Sequence, residues 1–198
     1  MLLKSKRLRG AGRLIILSGP SGAGKTTLHG LLFQSPRFKG RVIRSISATT
    51  RKPRAGERHG RDYFFLSQKM FEHKIRSGQL LEWAKVFDNY YGTPLKSVRD
   101  KLLAGKIVLL CIDVQGARQV KKKIPDAFLI FVKTSSLDVL RRRLLGRGTD
   151  TRDAVALRLR TAAKELKEAK HYDHVIINDD LGRARKELED VIGSELGV

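Results

Sequence analysis

Apolar positions fall into two patterns along the chain. Short continuous runs rich in β-branched residues read as strands. RLIILS spans Arg13 to Ser18, IVLLCIDV spans Ile107 to Val114, FLIFV spans Phe128 to Val132, and HVIIN ends at Asn178. LLEWAKVF, Leu80 to Phe87, reads as a further strand, and residues 41–66 as irregular or β-rich. Between these runs the apolar spacing turns helical. A helix from about Thr26 to Phe33 follows the first strand. Ser67 caps a short helix carrying Phe71 and Ile75 and closed by Gly78. Thr93-Pro94 opens another, because proline at the first helical position sacrifices no hydrogen bond; Leu95, Val98 and Leu102 share its face and Gly105 ends it. Ser135, with Asp138 three residues on, has the form of a capping box opening a helix to about Leu145. A long helix is expected from about Asp153 to Lys170, and a last one carrying Ala184, Leu188 and Val191. Strands alternating with helices predict an α/β domain: a mainly parallel sheet with helices on both faces.

Composition narrows the class. At 198 residues, 41% hydrophobic and 31% charged, the chain suits one α/β domain with inserted lobes. No run approaches the ~18 apolar residues of a membrane helix, so no membrane association is expected. The N-terminal MLLKSKRLRGAGR is basic without an apolar stretch and does not read as a secretory signal. A single cysteine, Cys111, excludes an internal disulfide and a multi-cysteine zinc site, and a reducing, cytoplasmic compartment is expected. His171 and His174, in HYDH, read as surface or packing residues. The net charge of +21, from 41 basic against 20 acidic residues, points to polyanionic partners without choosing among nucleotides, nucleic acid and an anionic surface. Seven cations between Arg41 and Arg61 face only Glu57, and five between Arg141 and Arg152 face only Asp150.

One motif begins to choose. GPSGAGKTT (Gly19, Pro20, Ser21, Gly22, Ala23, Gly24, Lys25, Thr26, Thr27) fits G-x-x-x-x-G-K-[ST] at every fixed position. Glycines let backbone N–H groups curl into an anion nest, Lys25 reaches the β/γ-phosphates, the Thr26 hydroxyl can ligate Mg²⁺, and the helix start adds a positive dipole. A plain glycine turn between strand and helix is the bland alternative; the strand before and helix after favour a nucleoside triphosphate site.

The segments SISATTRKPRAGERHGRDYFF, EWAKVFDNYYGT, IDVQG, GRGTDT and NDDL, in this order with GPSGAGKTT, resemble guanylate kinase across about Arg13 to Leu196. The resemblance implies phosphate transfer from ATP to GMP with Mg²⁺ on a P-loop NTPase fold. It implies a core of 13–44, 94–145 and 164–196, an inserted GMP-binding lobe at 45–93 and a lid at 146–163, together forming a domain over 13–196 behind a basic extension, 1–12. It also assigns residues. Arg51, Arg54, Tyr63 and Tyr91 match those that hold the GMP phosphate, which suits guanidinium forks supplemented by neutral hydroxyls. Lys52 reads as a solvated neighbour. Glu82 matches the glutamate that accepts the two guanine donors, with Ser47 and Thr93 near O6. Without the resemblance, Glu82 is a surface residue before a buried Trp83. Arg147 and Arg158 match lid arginines at the transferring phosphoryl group, with Arg143 a third contact, while Arg141 and Arg142 read as a solvated face. Asn178 and Asp179 match positions near the adenine and the lid base. Lys25, Arg54, Arg147 and Arg158 are the residues expected to carry the catalysis.

One position departs from the family pattern. An acid usually precedes by two the aspartate of I-D-x-Q-G, and here Cys111 stands there. On a strand, Cys111 and Asp113 would share a face. The loss leaves Asp113 to carry the guanine or metal contact, and the apolar surroundings of Cys111 suggest a buried, unreactive thiol. Two other classes remain alternatives: a non-catalytic guanylate-kinase-like binding module, disfavoured by the presence of Lys25, Thr26, Arg147 and Arg158, and a nucleic-acid-binding protein. No aromatic-interleaved motif supports the latter beyond a secondary property of the charge.

Overall fold

The computed structural model describes residues 12–86, 88–146 and 151–197. In chain order it contains β1 (Leu14–Ser18), α1 (Lys25–Gln34), β2 (Val42–Arg44), β3 (Ala48–Thr49), β4 (Phe64–Phe65), α2 (Gln68–Arg76), β5 (Leu80–Val86), β6 (Asn89–Pro94), α3 (Leu95–Leu103), β7 (Ile107–Cys111) and α4 (Val114–Lys123). There follow β8 (Phe128–Lys133), α5 (Leu137–Leu145), α6 (Arg152–Leu166), a 3₁₀ turn (Lys167–His171), β9 (His174–Ile177) and α7 (Leu181–Leu196). A five-stranded sheet has the order β2-β7-β1-β8-β9, and a four-stranded sheet the order β4-β3-β6-β5. In the first, β2 runs parallel to β7 and β8 parallel to β9, as the alternation of apolar strands and helices predicts.

The chain divides into two compact units. One comprises the chain up to Ile15, Arg41–Leu110 and Gln115–Ala127. It contains the four-stranded sheet, whose core gathers Ala48, Phe71 and Leu80, with Phe64, Leu66, Ile75 and Tyr90 packed against them. Phe71 is fully buried and stacks on Tyr90 at 5.4 Å, a burial worth roughly 2–3 kcal/mol. Ser67 caps α2 by accepting the Met70 amide, as expected. The other unit comprises Ile16–Gly40, Cys111–Val114 and Phe128–Val198. There Leu140 and Leu144 of α5 pack on Val155 and Ala162 of α6.

Several boundaries differ from expectation for local reasons. Pro94 is the residue before α3, not its first, and the Leu95 amide donates to the Gln79 carbonyl at 2.9 Å. Ser136, not Ser135, caps α5. Thr151 caps α6, which starts at Arg152. In α7 the fully buried stripe is Ala184, Leu188 and Ile192, with Val191 half-buried. The strand expected to reach Val114 stops at Cys111, and α4, not anticipated, buries Val114, Ala117 and Val120. Its short apolar period was hidden behind the stronger β run. Strand β6, NYYGTP, is also unexpected: its polar, glycine and proline residues look like a loop, and pairing with β3 and β5 makes it a strand.

Candidate active site

In the second unit the loop 19–24 runs between β1 and α1. Gly19 and Gly24 adopt φ of +137° and +91°. Beyond that strain, a Cβ on Gly19 would collide with the Val132 carbonyl, and one on Gly24 with the Asn178 amide. Lys25 starts α1 and folds back over the loop, donating to the carbonyls of Gly19 at 2.6 Å and Pro20 at 2.8 Å. Pro20, Gly22 and Ala23 are buried, whereas Thr26 and Thr27 are exposed on the first turn of α1. Arg158 on α6 donates to the Ser21 hydroxyl at 3.0 Å. Asn178 is buried and donates to the Ala23 carbonyl at 2.7 Å, tying the end of β9 to the phosphate loop. Asp179 accepts the Ser135 amide at 3.0 Å, and its carbonyl accepts Arg143 at 3.2 Å. Hydrogen bonds from the hydroxyl and amide of Ser135 hold the Asp179 carboxyl below the usual range. Thus Gly19 to Lys25, Arg143, Arg158, Asn178 and Asp179 form one continuous network. Arg147 lies outside the described residues.

Glu165 on α6 is a further half-buried acid, close to Lys25 and Asp113. Burial pushes its carboxyl up to about 7; Lys25 opposes the shift and the charge of Asp113 adds to it. Burial likewise pushes the neighbouring Tyr172 hydroxyl up to about 12. Glu165 continues the face of α6 that carries Val155, Arg158 and Ala162, a helical period that could have marked it. The native state holds this proton more firmly than the unfolded chain, whose carboxyl titrates near 4.5. Stability contributed by the proton is therefore complete below pH ~4.5 and falls as pH rises toward 7. Glu165→Gln is expected to stabilise the fold by about 2 kcal/mol at pH 8, after discounting for partial exposure, and by little at pH 4.5. Urea unfolding at the two pH values checks this; an equal effect at both would contradict it.

The first unit builds a second polar site. Thr49 and Thr50 pin the start of the basic loop to β6. The Thr49 hydroxyl donates to the Tyr90 carbonyl at 2.9 Å, and the Thr50 hydroxyl accepts the Tyr90 amide at 2.9 Å. The Arg51 guanidinium lies 5.6 Å from the Tyr63 ring centre and 5.9 Å from that of Phe65. Its charge is reinforced chiefly by Glu57 and also by Tyr91, while Tyr63 and Tyr91 pack edge to face at 6.2 Å. Arg51, Tyr63 and Tyr91 are therefore together. Arg54 is exposed, with its amide held by Glu57 at 2.7 Å, and Lys52 is exposed as expected.

On the neighbouring strands Glu82 is not the surface acid that its own strand suggests. Glu82 is 3% exposed and Trp83 is 37% exposed, the reverse of a surface acid before a buried tryptophan. The Thr93 hydroxyl donates to Glu82 at 2.5 Å, and the two residues pair across β5 and β6. Continuing the β3–β6 register by one residue sets half-buried Ser47 opposite Thr93, aligning Ser47, Thr93 and Glu82 across the sheet. A buried carboxylate is costly to keep without strong hydrogen-bond partners, which fits a place made for a ligand's donors.

Asp113 belongs to the other unit, where it acts on Glu165 and Tyr172. Because β7 ends at Cys111, strand alternation no longer relates Cys111 to Asp113. Cys111 is also half-buried, not enclosed as its apolar run suggested, because full burial is confined to Val108, Leu109 and Leu110 in the middle of the strand.

Strand, glycine loop and lysine-led helix on a parallel-strand sheet define a P-loop NTPase fold. The guanylate kinase family profile matches residues 11–195. A guanylate kinase from Rubrobacter xylanophilus is 50% identical over 182 residues, covering 91% of this chain and 93% of that protein. One from Synechocystis is 48% identical over 185 residues, covering 93% of this chain and 95% of that protein. The crystal structure of guanylate kinase from Anaplasma phagocytophilum superposes with a TM-score of 0.77 at 32% identity, over 93% of this chain and 86% of the other. The chain belongs to the guanylate kinase family.

Proposed function

We propose that the protein transfers the terminal phosphoryl group of ATP to GMP, giving ADP and GDP, within purine nucleotide metabolism in the cytoplasm. Family membership supports the reaction. The observation that carries the choice of base is the buried Glu82–Thr93 pair, a fixed acceptor for the N1–H and N2–H₂ donors that guanine presents together and adenine lacks. Among the described residues no helix is long and apolar enough to cross a membrane. The basic surplus suits two polyanionic substrates, with nucleic-acid binding at most a secondary property. The folded nest with Lys25 and Arg158 favours catalysis over a non-catalytic binding module. Residues 45–93 are assigned as the GMP-binding lobe, 146–163 as the lid, and the rest of 13–196 as the core.

The acceptor oxygen of GMP is already ionised at neutral pH, so no strong general base is needed. The protein's work is positioning and charge neutralisation. Lys25 exchanges the Gly19 and Pro20 carbonyls for the donor phosphates, and Arg158 adds charge beside Ser21. Arg143, Asn178 and Asp179 shape the donor side. Arg51, Arg54, Tyr63 and Tyr91 take the acceptor phosphate, while Ser47, Thr93 and Glu82 take the base. Asp113 is retained as a further guanine contact, and Arg147 as a lid contact to the phosphoryl group. The exposed Thr26 hydroxyl, next to Lys25 on the first turn of α1, suits Mg²⁺ carried on the ATP phosphates, since Mg²⁺ is commonly held by substrate oxygens, water and one or two protein oxygens. When bound, that ion neutralises the donor phosphates. Chelation by EDTA is therefore expected to stop ADP formation and excess Mg²⁺ to restore it; undiminished turnover in EDTA would exclude the metal role.

A further inference from the structure

Arg51 is held by the protein on several sides. Its Nη2 donates to both carboxylate oxygens of Glu57, at 2.8 and 3.0 Å, and its Nη1 donates to the Lys52 carbonyl at 2.7 Å. The same Glu57 carboxylate accepts the Arg54 amide at 2.7 Å, and the Glu57 amide donates to the Arg54 carbonyl at 3.1 Å. One acid thus ties together the side chain of the first arginine and the backbone of the second. The pair is partly shielded, with side-chain exposures of 16% for Arg51 and 21% for Glu57. Between Arg41 and Arg61, Glu57 is the only acid among seven cations. Asp62 pairs with Arg61 at 2.8 Å and accepts the Arg58 amide at 2.8 Å, which leaves Glu57 to face Arg51, Lys52 and Arg54; without Glu57 these three would repel one another, and a long arginine side chain would sample many rotamers. Ordering such a side chain during binding lowers affinity, whereas ordering it during folding does not.

The geometry points to Glu57 as a positioning residue for the acceptor phosphate: it aims the Arg51 guanidinium and fixes the spacing of Arg51 and Arg54. This rests on the reading of Arg51 as a phosphate ligand. The carboxylate works through Arg51 and does not itself touch the substrate.

Steady-state kinetics on Glu57→Gln, Glu57→Ala, Glu57→Asp, Arg51→Ala and the Arg51→Ala/Glu57→Ala double variant test it, with guanosine as a competitive inhibitor lacking phosphate. Glu57→Gln is expected to raise KM for GMP about tenfold and Glu57→Ala more. Values of kcat and KM for ATP stay within about twofold, in keeping with an effect on positioning one substrate. The guanosine Ki should not change, Glu57→Asp should recover part of the loss, and the double variant should be no worse than Arg51→Ala. A lower KM for GMP in Glu57→Gln would overturn the inference by showing that the carboxylate competes with phosphate. Equal weakening of guanosine and GMP would overturn it in favour of a general structural role. An unchanged KM in Glu57→Gln, beside a large rise in Arg51→Ala, would overturn it while leaving Arg51 as a phosphate ligand. An unchanged KM in Arg51→Ala would overturn the assignment of Arg51 and this inference with it.

Discussion

Lys25→Ala is expected to lower kcat about 10³-fold or more while leaving the circular dichroism spectrum unchanged. The ammonium group of Lys25 is the cation that the phosphate loop holds over its own carbonyls, at 2.6 Å from Gly19 and 2.8 Å from Pro20. Removing it takes away the charge that meets the donor phosphates as negative charge shifts between them. The loop should survive the change. The variant loses the two bonds from Lys25 to the loop, but the close approach of Gly19 to Val132 and the bond from Asn178 to Ala23 remain, and neither involves the lysine side chain. Kinetics and circular dichroism on the same preparation decide the matter: a folded variant with near-parent kcat would show that the loop is structural.

Glu82→Gln is expected to lower kcat/KM for GMP by about 10³- to 10⁴-fold with little change in KM for ATP. The substitution nearly preserves shape, so its effect is chemical. An amide can accept through only one oxygen, and its N–H₂ would oppose the donor edge of guanine. The site is also buried, with Glu82 3% exposed, so water cannot readily compensate for the mismatch. The Thr93 hydroxyl can still donate to the amide oxygen, which keeps β5 and β6 together. Measuring kcat/KM for both substrates separates the cases: equal losses for GMP and ATP would indicate a damaged fold, and no loss would remove Glu82 from base recognition.

The phosphate loop was legible from the chain because its chemistry is local: one strand, a fixed glycine spacing and a lysine at the helix start. The same holds for β1, β7 and β8, whose apolar runs announce burial. Glu82 was legible only through family resemblance. In LLEWAKV nothing local says that the acid faces inward and the tryptophan outward; pairing with Thr93 on β6 decides that, and β6 itself looked like a loop. The partner of Arg51 was half legible. Glu57 stood out as the lone acid in a basic stretch, but its role depends on a turn through Gly56, with φ of +81°, that brings the carboxylate back to the guanidinium. For Glu165 only the inward face of α6 was legible; its environment also comes from Lys25 and Asp113, far away in sequence.

Phosphorylation of GMP from ATP can be read from ADP release by the unmodified protein. ATP and Mg²⁺ would be supplied with GMP, AMP, CMP or UMP, each at the same subsaturating concentration. ADP release with GMP is expected to be at least about 10³-fold faster than with any other monophosphate. ADP release with AMP or UMP as fast as with GMP, or none above background with GMP, would contradict it.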